Sequence, residues 1–153
     1  MVELKENVQN AIKDGARIIY GRLDYKIDDF SLANGNWFSP IVTEGININS
    51  KSFHTEFFGP VFNLWSAPTA KECLDLANKS DYGLAGTIFT EDLDLAENYA
   101  TKLRVGSITL NDMMTSYSDL PSGGIKLSGN GRECYRDGMV EIAYRKSIIG
   151  KNW

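Results

Sequence analysis

Apolar residues at Leu4, Val8, Ala11 and Ile12 recur at the three-and-four spacing of one helical face, and Gly15 supplies a stop, so residues 2–14 are predicted to form a helix. A short β-rich run occupies 16–20. Residues 21–36 are polar and carry Gly and Asn, which suits a hairpin or a surface excursion. Residues 37–42 read as a further strand, and Pro40, which lacks a ladder donor, suggests an edge or an irregular segment there. Residues 43–53 read as loop.

Beyond this point the alternation is regular. Residues 61–66 form an apolar run with the character of a strand. Thr69 and Glu72 then have capping-box spacing for a helix to about Lys79, with Ala70, Cys73, Leu74 and Ala77 on its apolar face. Ser-Asp-Tyr-Gly at 80–83 turns into a strand at 84–89. Asp92 caps a second helix ending near Leu103, whose face is Ala96, Tyr99, Ala100 and Leu103. A strand at 105–110 follows, then a glycine-rich tail at 120–133, a short helix within 135–144 and a terminal strand near 146–150. Strand, helix, strand, helix, strand with short connections implies right-handed crossovers. The expected fold is α/β, a layered, largely parallel sheet flanked by helices, in a single domain spanning 1–153.

Composition narrows the function classes. The 153 residues are 42% hydrophobic and 24% charged, which suits a globular domain with its own core. Sixteen basic residues are outnumbered by twenty acidic ones and form no cluster, which argues against nucleic acid as a partner. No apolar run reaches the roughly 18 residues of a membrane span, and the charged start Met-Val-Glu-Leu-Lys-Glu is unlike a signal peptide, so a cytoplasmic location is expected. With one histidine, His54, and two distant cysteines, no metal site is expected. Cys73 reads as a small core residue of its helix. Cys134 lies beside Arg132 and Arg136, which would favour a thiolate, but no histidine partner is evident in the sequence.

The stretch Thr-Glu-Phe-Phe-Gly-Pro-Val at 55–61 is the best candidate for chemistry. Glu56 is a lone carboxylate near a large ring, Phe58; Gly59 permits a tight bend, and Pro60 fixes the entry to the following strand. The plain alternative is a strand-entry turn with a buried phenylalanine and a solvated glutamate. Asn111 and Asp112, at the carboxyl end of a predicted parallel strand, are further ligand candidates, with turn chemistry as the alternative. The tail Leu-Pro-Ser-Gly-Gly-Ile-Lys-Leu-Ser-Gly-Asn-Gly-Arg-Glu at 120–133 is not a phosphate loop, because no Lys-Ser or Lys-Thr follows Gly129. Nor is it a dinucleotide fingerprint: Gly129-Asn-Gly131-Arg-Glu-Cys134 lacks the third small residue. It reads as a tightly turning loop whose backbone can approach another surface closely.

Four segments together resemble the aldehyde dehydrogenase family. They are Glu-Phe-Phe-Gly-Pro-Val at 56–61, Leu-Ala-Asn-Lys-Ser-Asp-Tyr-Gly-Leu-Ala at 76–85, Gly-Ser-Ile-Thr-Leu-Asn at 106–111, and Pro-Ser-Gly-Gly-Ile-Lys-Leu-Ser-Gly-Asn-Gly-Arg-Glu at 121–133. Their order and spacing are similar to the carboxyl-terminal part of the catalytic domain of a succinate-semialdehyde dehydrogenase. The resemblance implies NAD or NADP as the family's cofactor. It also implies that Glu56 bonds the ribose next to nicotinamide and that Phe58 packs near the nicotinamide ring. Pairing of the carboxyl-terminal regions implies a homo-oligomer, with a dimer expected.

The resemblance also marks what these residues lack. In the family, a cysteine thiolate in a Gly-Gln-x-Cys context attacks the aldehyde, hydride passes to NAD(P), and water releases the acid. Neither Cys73 nor Cys134 matches that context, so no catalytic residue is assigned. Ser122 stands where the family usually has a phenylalanine lining the aldehyde pocket, which loosens that wall. The expectation is a dehydrogenase fragment, inactive and binding no cofactor alone. The alternatives are one subunit of a split enzyme, with a complementing fragment as partner, and a self-associating interaction module.

Overall fold

The computed structural model describes residues 2–24 and 35–151. Most of the expected excursion at 21–36 therefore lies outside the described residues. The chain divides into two compact units, Met1–Thr69 and Ala70–Trp153, where the sequence suggested one domain.

In the first unit, helix α1 (Val2–Lys13) turns its buried stripe of Leu4, Val8 and Ala11 onto a small sheet. Ile12 is 42% exposed, because one residue past Ala11 it is rotated about 100° to the flank of that stripe. Strand β1 (Arg17–Tyr20) pairs antiparallel with β2 (Ile41–Glu44), which pairs in parallel with β3 (Val61–Leu64). Thus β2 is central rather than an edge. Pro40 is accommodated because it ends just before the ladder, and the first ladder donor is Ile41 N–H, which reaches Pro60 O at 2.9 Å. Thr43 and Glu44, expected in a loop, belong to this strand. Thr43 is fully buried and its hydroxyl donates to Asn63 Oδ1 at 2.7 Å, so this buried polar side chain is satisfied by its register partner.

The core of this unit gathers Leu4, Val8, Ala11, Ala16, Ile41, Ile46 and Phe57. Trp65 packs edge-on against Phe53, with centroids 5.3 Å apart, and its indole N–H donates to Ile46 O at 3.0 Å. The connection from β2 to β3 carries a short 3₁₀ turn, Lys51–His54, sewn to the end of α1 by Ser52. The Ser52 hydroxyl donates to Asp14 Oδ2 at 2.6 Å and its amide to the same oxygen at 3.3 Å. These bonds hold the Asp14 carboxyl below its ordinary value.

The second unit is an α/β arrangement of short pieces: α2 (Ala70–Asn78), β4 (Tyr82–Gly83), β5 (Ala85–Ile88), α3 (Leu93–Ala100), β6 (Ser107–Leu110), β7 (Ile125–Lys126) and α4 (Tyr135–Glu141). Strands β5 and β6 are parallel and joined through α3, the crossover that the alternation predicted. Asp92 caps α3, its carboxylate accepting from Leu95 N at 2.9 Å, and Ala96 is fully buried beneath the helix. Strand β4 instead pairs antiparallel with β7 from the tail. The described strands therefore form three small sheets, with parallel pairing confined to β2–β3 and β5–β6.

Helix α2 buries none of its residues, and Cys73, expected in a core, is exposed. Of its expected apolar stripe only Leu74 is half-buried, while Ala70, Cys73 and Ala77 are exposed. Residues 146–150 form no strand among the described residues, and Ile149 is 96% exposed, because no neighbouring strand offers its ladder groups.

Candidate functional site

The loop at 55–61 is built from both ends. Thr55 closes the 3₁₀ turn, its hydroxyl donating to Lys51 O at 2.9 Å. Glu56 is exposed, Phe57 is 7% exposed in the core, and Phe58 is 84% exposed. Of the two adjacent rings, the inner one anchors in the core and the outer one is exposed, as is Glu56. Phe58 takes φ +49°, the left-handed region that costs an L-residue roughly 1–2 kcal/mol. The sequence suggested that Gly59 supplies the bend. The chain does bend at Gly59 and Pro60, while the strained left-handed conformation falls on Phe58; Gly59 also runs close against α1, where a Cβ would lie 2.3 Å from Leu4 Cδ2 and the Leu4 side chain would have to shift. Downstream, Val61 N–H donates to Gly59 O at 2.7 Å and β3 begins.

Chemically, this loop presents an exposed carboxylate that accepts hydrogen bonds and an exposed apolar ring face. Such a pair fits a sugar diol next to an aromatic heterocycle.

In the second unit, Ser122 is half-buried and held by a two-way backbone bridge: its N–H reaches Glu133 O at 2.9 Å, and Glu133 N–H reaches Ser122 O at 2.7 Å. It lines a cleft of about 390 Å³ with Ser107, Thr109, Met114, Tyr117 and Leu120 among its other walls. The glycine-rich tail approaches its neighbours backbone to backbone, as its composition suggested. A Cβ on Gly106 would fall 1.7 Å from Gly123 O, so no side chain fits. The Arg132 guanidinium donates to Gly124 O at 3.1 Å and to Gly131 O at 2.6 Å, tying the loop to itself.

Sequence reasoning named Ser122 but missed Tyr117 and Met114, which sit in an irregular stretch without periodicity. It also missed the clamp formed by Lys126, whose ammonium donates to Ser80 O at 2.9 Å and Asn78 O at 3.3 Å. Burial, then the nearby Arg104, lowers the Lys126 ammonium from its ordinary value.

Asn111 is a strut. Its side chain donates to Thr90 O and accepts from Thr90 N, both at 2.8 Å, joining the ends of β5 and β6. Asp112 accepts from Met113 N at 2.7 Å, which is turn chemistry. Cys134 is exposed and takes φ +61° at the start of α4. Among the described residues no group of three or more His, Cys, Asp or Glu could hold a metal ion. No described helix is long and apolar enough to cross a membrane.

The model of the aldehyde dehydrogenase family matches residues 1–148. The chain is 35% identical over 148 residues to a succinate-semialdehyde dehydrogenase [NADP(+)] of Deinococcus radiodurans, covering 95% of this chain and 29% of that protein. It is 31% identical over 146 residues to a betaine aldehyde dehydrogenase of Bacillus subtilis, with coverage of 95% and 29%. Among solved structures, the betaine aldehyde dehydrogenase of Staphylococcus aureus in complex with NAD+ superposes with a TM-score of 0.85 at 34% identity, covering 92% of this chain and 27% of that one. The chain thus spans less than a third of the length of these relatives. On the family match and the shared fold, the chain belongs to the aldehyde dehydrogenase family.

Proposed function

We propose that these residues are the carboxyl-terminal part of the catalytic domain of an NAD(P)-dependent aldehyde dehydrogenase of the succinate-semialdehyde type, and that they supply the nicotinamide side of its cofactor site. The observation that carries this reading is the display of Glu56 and Phe58 on a turn pinned from both sides. Glu56 accepts from the hydroxyls of the adjacent ribose, and Phe58 gives the nicotinamide ring an apolar face to lie against. The bound cofactor supplies the hydride acceptor for aldehyde oxidation. Ser122 and the cleft around it form a wall for the aldehyde chain, wider and more polar than an aromatic residue would leave it.

The reading assigns no nucleophile to these 153 residues. Cys73 lies on an exposed helix face and Cys134 at an exposed helix start, and neither stands in a Gly-Gln-x-Cys context. The chain alone is therefore inactive and binds NAD(P) very weakly or not at all. Its expected association is with itself, as a dimer, and with the remainder of a dehydrogenase. A second reading, a non-catalytic self-associating module, is favoured by the apolar side chains that the second unit exposes, including Leu84, Phe89, Ile142 and Ile148.

A segment exchange separates the two. This chain replaces the matching segment of a full-length family member, and NADPH formation from succinate semialdehyde is followed. Turnover by the hybrid supports the dehydrogenase reading. A folded, oligomeric hybrid without turnover, whose parent is active under the same conditions, contradicts it and favours the module.

A further inference from the structure

We propose that Leu4 of α1 is a positioning residue for the displayed ring, acting through Gly59 to hold Phe58 in its left-handed, outward-facing conformation. Its functional meaning rests on the reading of Phe58 as a nicotinamide contact, whereas its structural content stands alone.

Phe58 sits between two fixed points. Upstream, the Phe57 ring is locked in the core with Leu4, Val8 and Ile41. Downstream, the Gly59 backbone lies so close to Leu4 that a Cβ at this position would fall 2.3 Å from Cδ2 and 2.9 Å from Cδ1. Beyond that, Pro60 O is held by Ile41 N–H at 2.9 Å and Gly59 O by Val61 N–H at 2.7 Å. Phe58 takes a positive φ and Gly59 does not. A side chain at 59 would therefore have to displace Leu4, and the positive φ is left to the residue before it. A side chain on the first helix thus sets the aim of a ring more than fifty positions later in the chain.

The strained φ has a spectroscopic signature. A positive φ brings a residue's amide hydrogen close to its own Hα and gives a strong intraresidue cross-peak. In the labelled 153-residue chain, Phe58 is expected to show it, Leu4→Ala to lose it, and the volume-conserving Leu4→Met to retain it. A folded Leu4→Ala chain with the cross-peak unchanged overturns the inference. Should Leu4→Ala fail to fold, Gly59→Ala is read instead: the cross-peak is lost, and it returns in the Leu4→Ala/Gly59→Ala double variant, where the new methyl fills the vacated space. Retention in Gly59→Ala, or no recovery in the double variant, overturns it as well.

In the hybrid dehydrogenase, Leu4→Ala is expected to raise the KM for NADP+ while leaving the KM for aldehyde unchanged. If Phe58→Ala leaves the cofactor KM unchanged, the nicotinamide reading fails and the cross-peak still decides the role of Leu4. If Phe58→Ala raises it and Leu4→Ala does not, the positioning inference fails alone.

Discussion

Phe57 and Phe58 are adjacent, chemically identical and opposite in burial, and that contrast gives a sharp stability test. Phe57 is 7% exposed and packs with Leu4, Val8 and Ile41, so Phe57→Ala removes a core ring and leaves a cavity. Truncations of this kind cost about 3–5 kcal/mol. Phe58 is 84% exposed, so Phe58→Ala forfeits little burial and is expected to stay within roughly 0.5 kcal/mol of the parent. Phe58→Gly is more informative. It relieves a left-handed conformation worth roughly 1–2 kcal/mol, offset by about 0.5–1 kcal/mol of extra unfolded-state entropy, so it is expected to be neutral or mildly stabilising. Urea denaturation followed by Trp65 fluorescence reads the first unit, in a background carrying Trp37→Phe and Trp153→Phe. Were Phe58→Ala to destabilise as much as Phe57→Ala, or Phe58→Gly to destabilise by more than about 1 kcal/mol, the outer ring would be part of the core and the display geometry wrong.

Two further outcomes follow from the same physical chemistry. Asn111→Ala strips two hydrogen bonds from the Thr90 backbone and is expected to destabilise the second unit by about 1–3 kcal/mol, with faster amide exchange at Thr90 as the local check. Asp14 has its pKa lowered from 3.8 by bonds from Ser52, so its stabilising contribution is complete above that ordinary value and is lost as pH falls through the depressed native one. The gap in urea midpoint between the parent and Asp14→Asn is therefore expected to be constant near neutrality and to close below pH 4; a gap that widens in acid would reverse the assigned sign.

Much of the local structure was legible because it is governed by nearest-neighbour chemistry. The stripe of α1, the Asp92 cap of α3 and the β5–α3–β6 crossover all follow from periodicity and one polar side chain placed at a helix start. What depended on packing was not. Cys73 has core spacing on α2, but spacing says only that a face is apolar, and burial requires a surface against it. Pro40 resembles an edge signal, yet it lies one residue outside the ladder and β2 is central.

At the candidate site, Glu56 and Phe58 stood out from the local pattern and took their roles from the resemblance, but nothing local would have shown that Phe58 rather than Gly59 bears the positive φ. That depends on Leu4, far away in sequence. Asn111 was a reasonable ligand candidate by its place after a parallel strand, and it proves to be occupied with Thr90. Ser122 lines a cleft whose other walls, Tyr117 and Met114, come from an irregular stretch that carries no pattern to read.

The central claim concerns Glu56 and Phe58, and cofactor kinetics in the hybrid dehydrogenase address it most directly. Initial rates are measured against NADP+ at saturating succinate semialdehyde for the hybrid and for its Glu56→Gln and Phe58→Ala variants, with denaturation midpoints confirming that each is folded. Loss of a charge-assisted hydrogen bond costs about 1.5–3 kcal/mol, so the expected result for Glu56→Gln is a fall in kcat/KM for NADP+ of roughly tenfold to a hundredfold. A fall in the same direction is expected for Phe58→Ala. Unchanged kcat/KM for the cofactor in both variants, with the hybrid active and folded, would contradict the assignment of this turn to the nicotinamide side of the site.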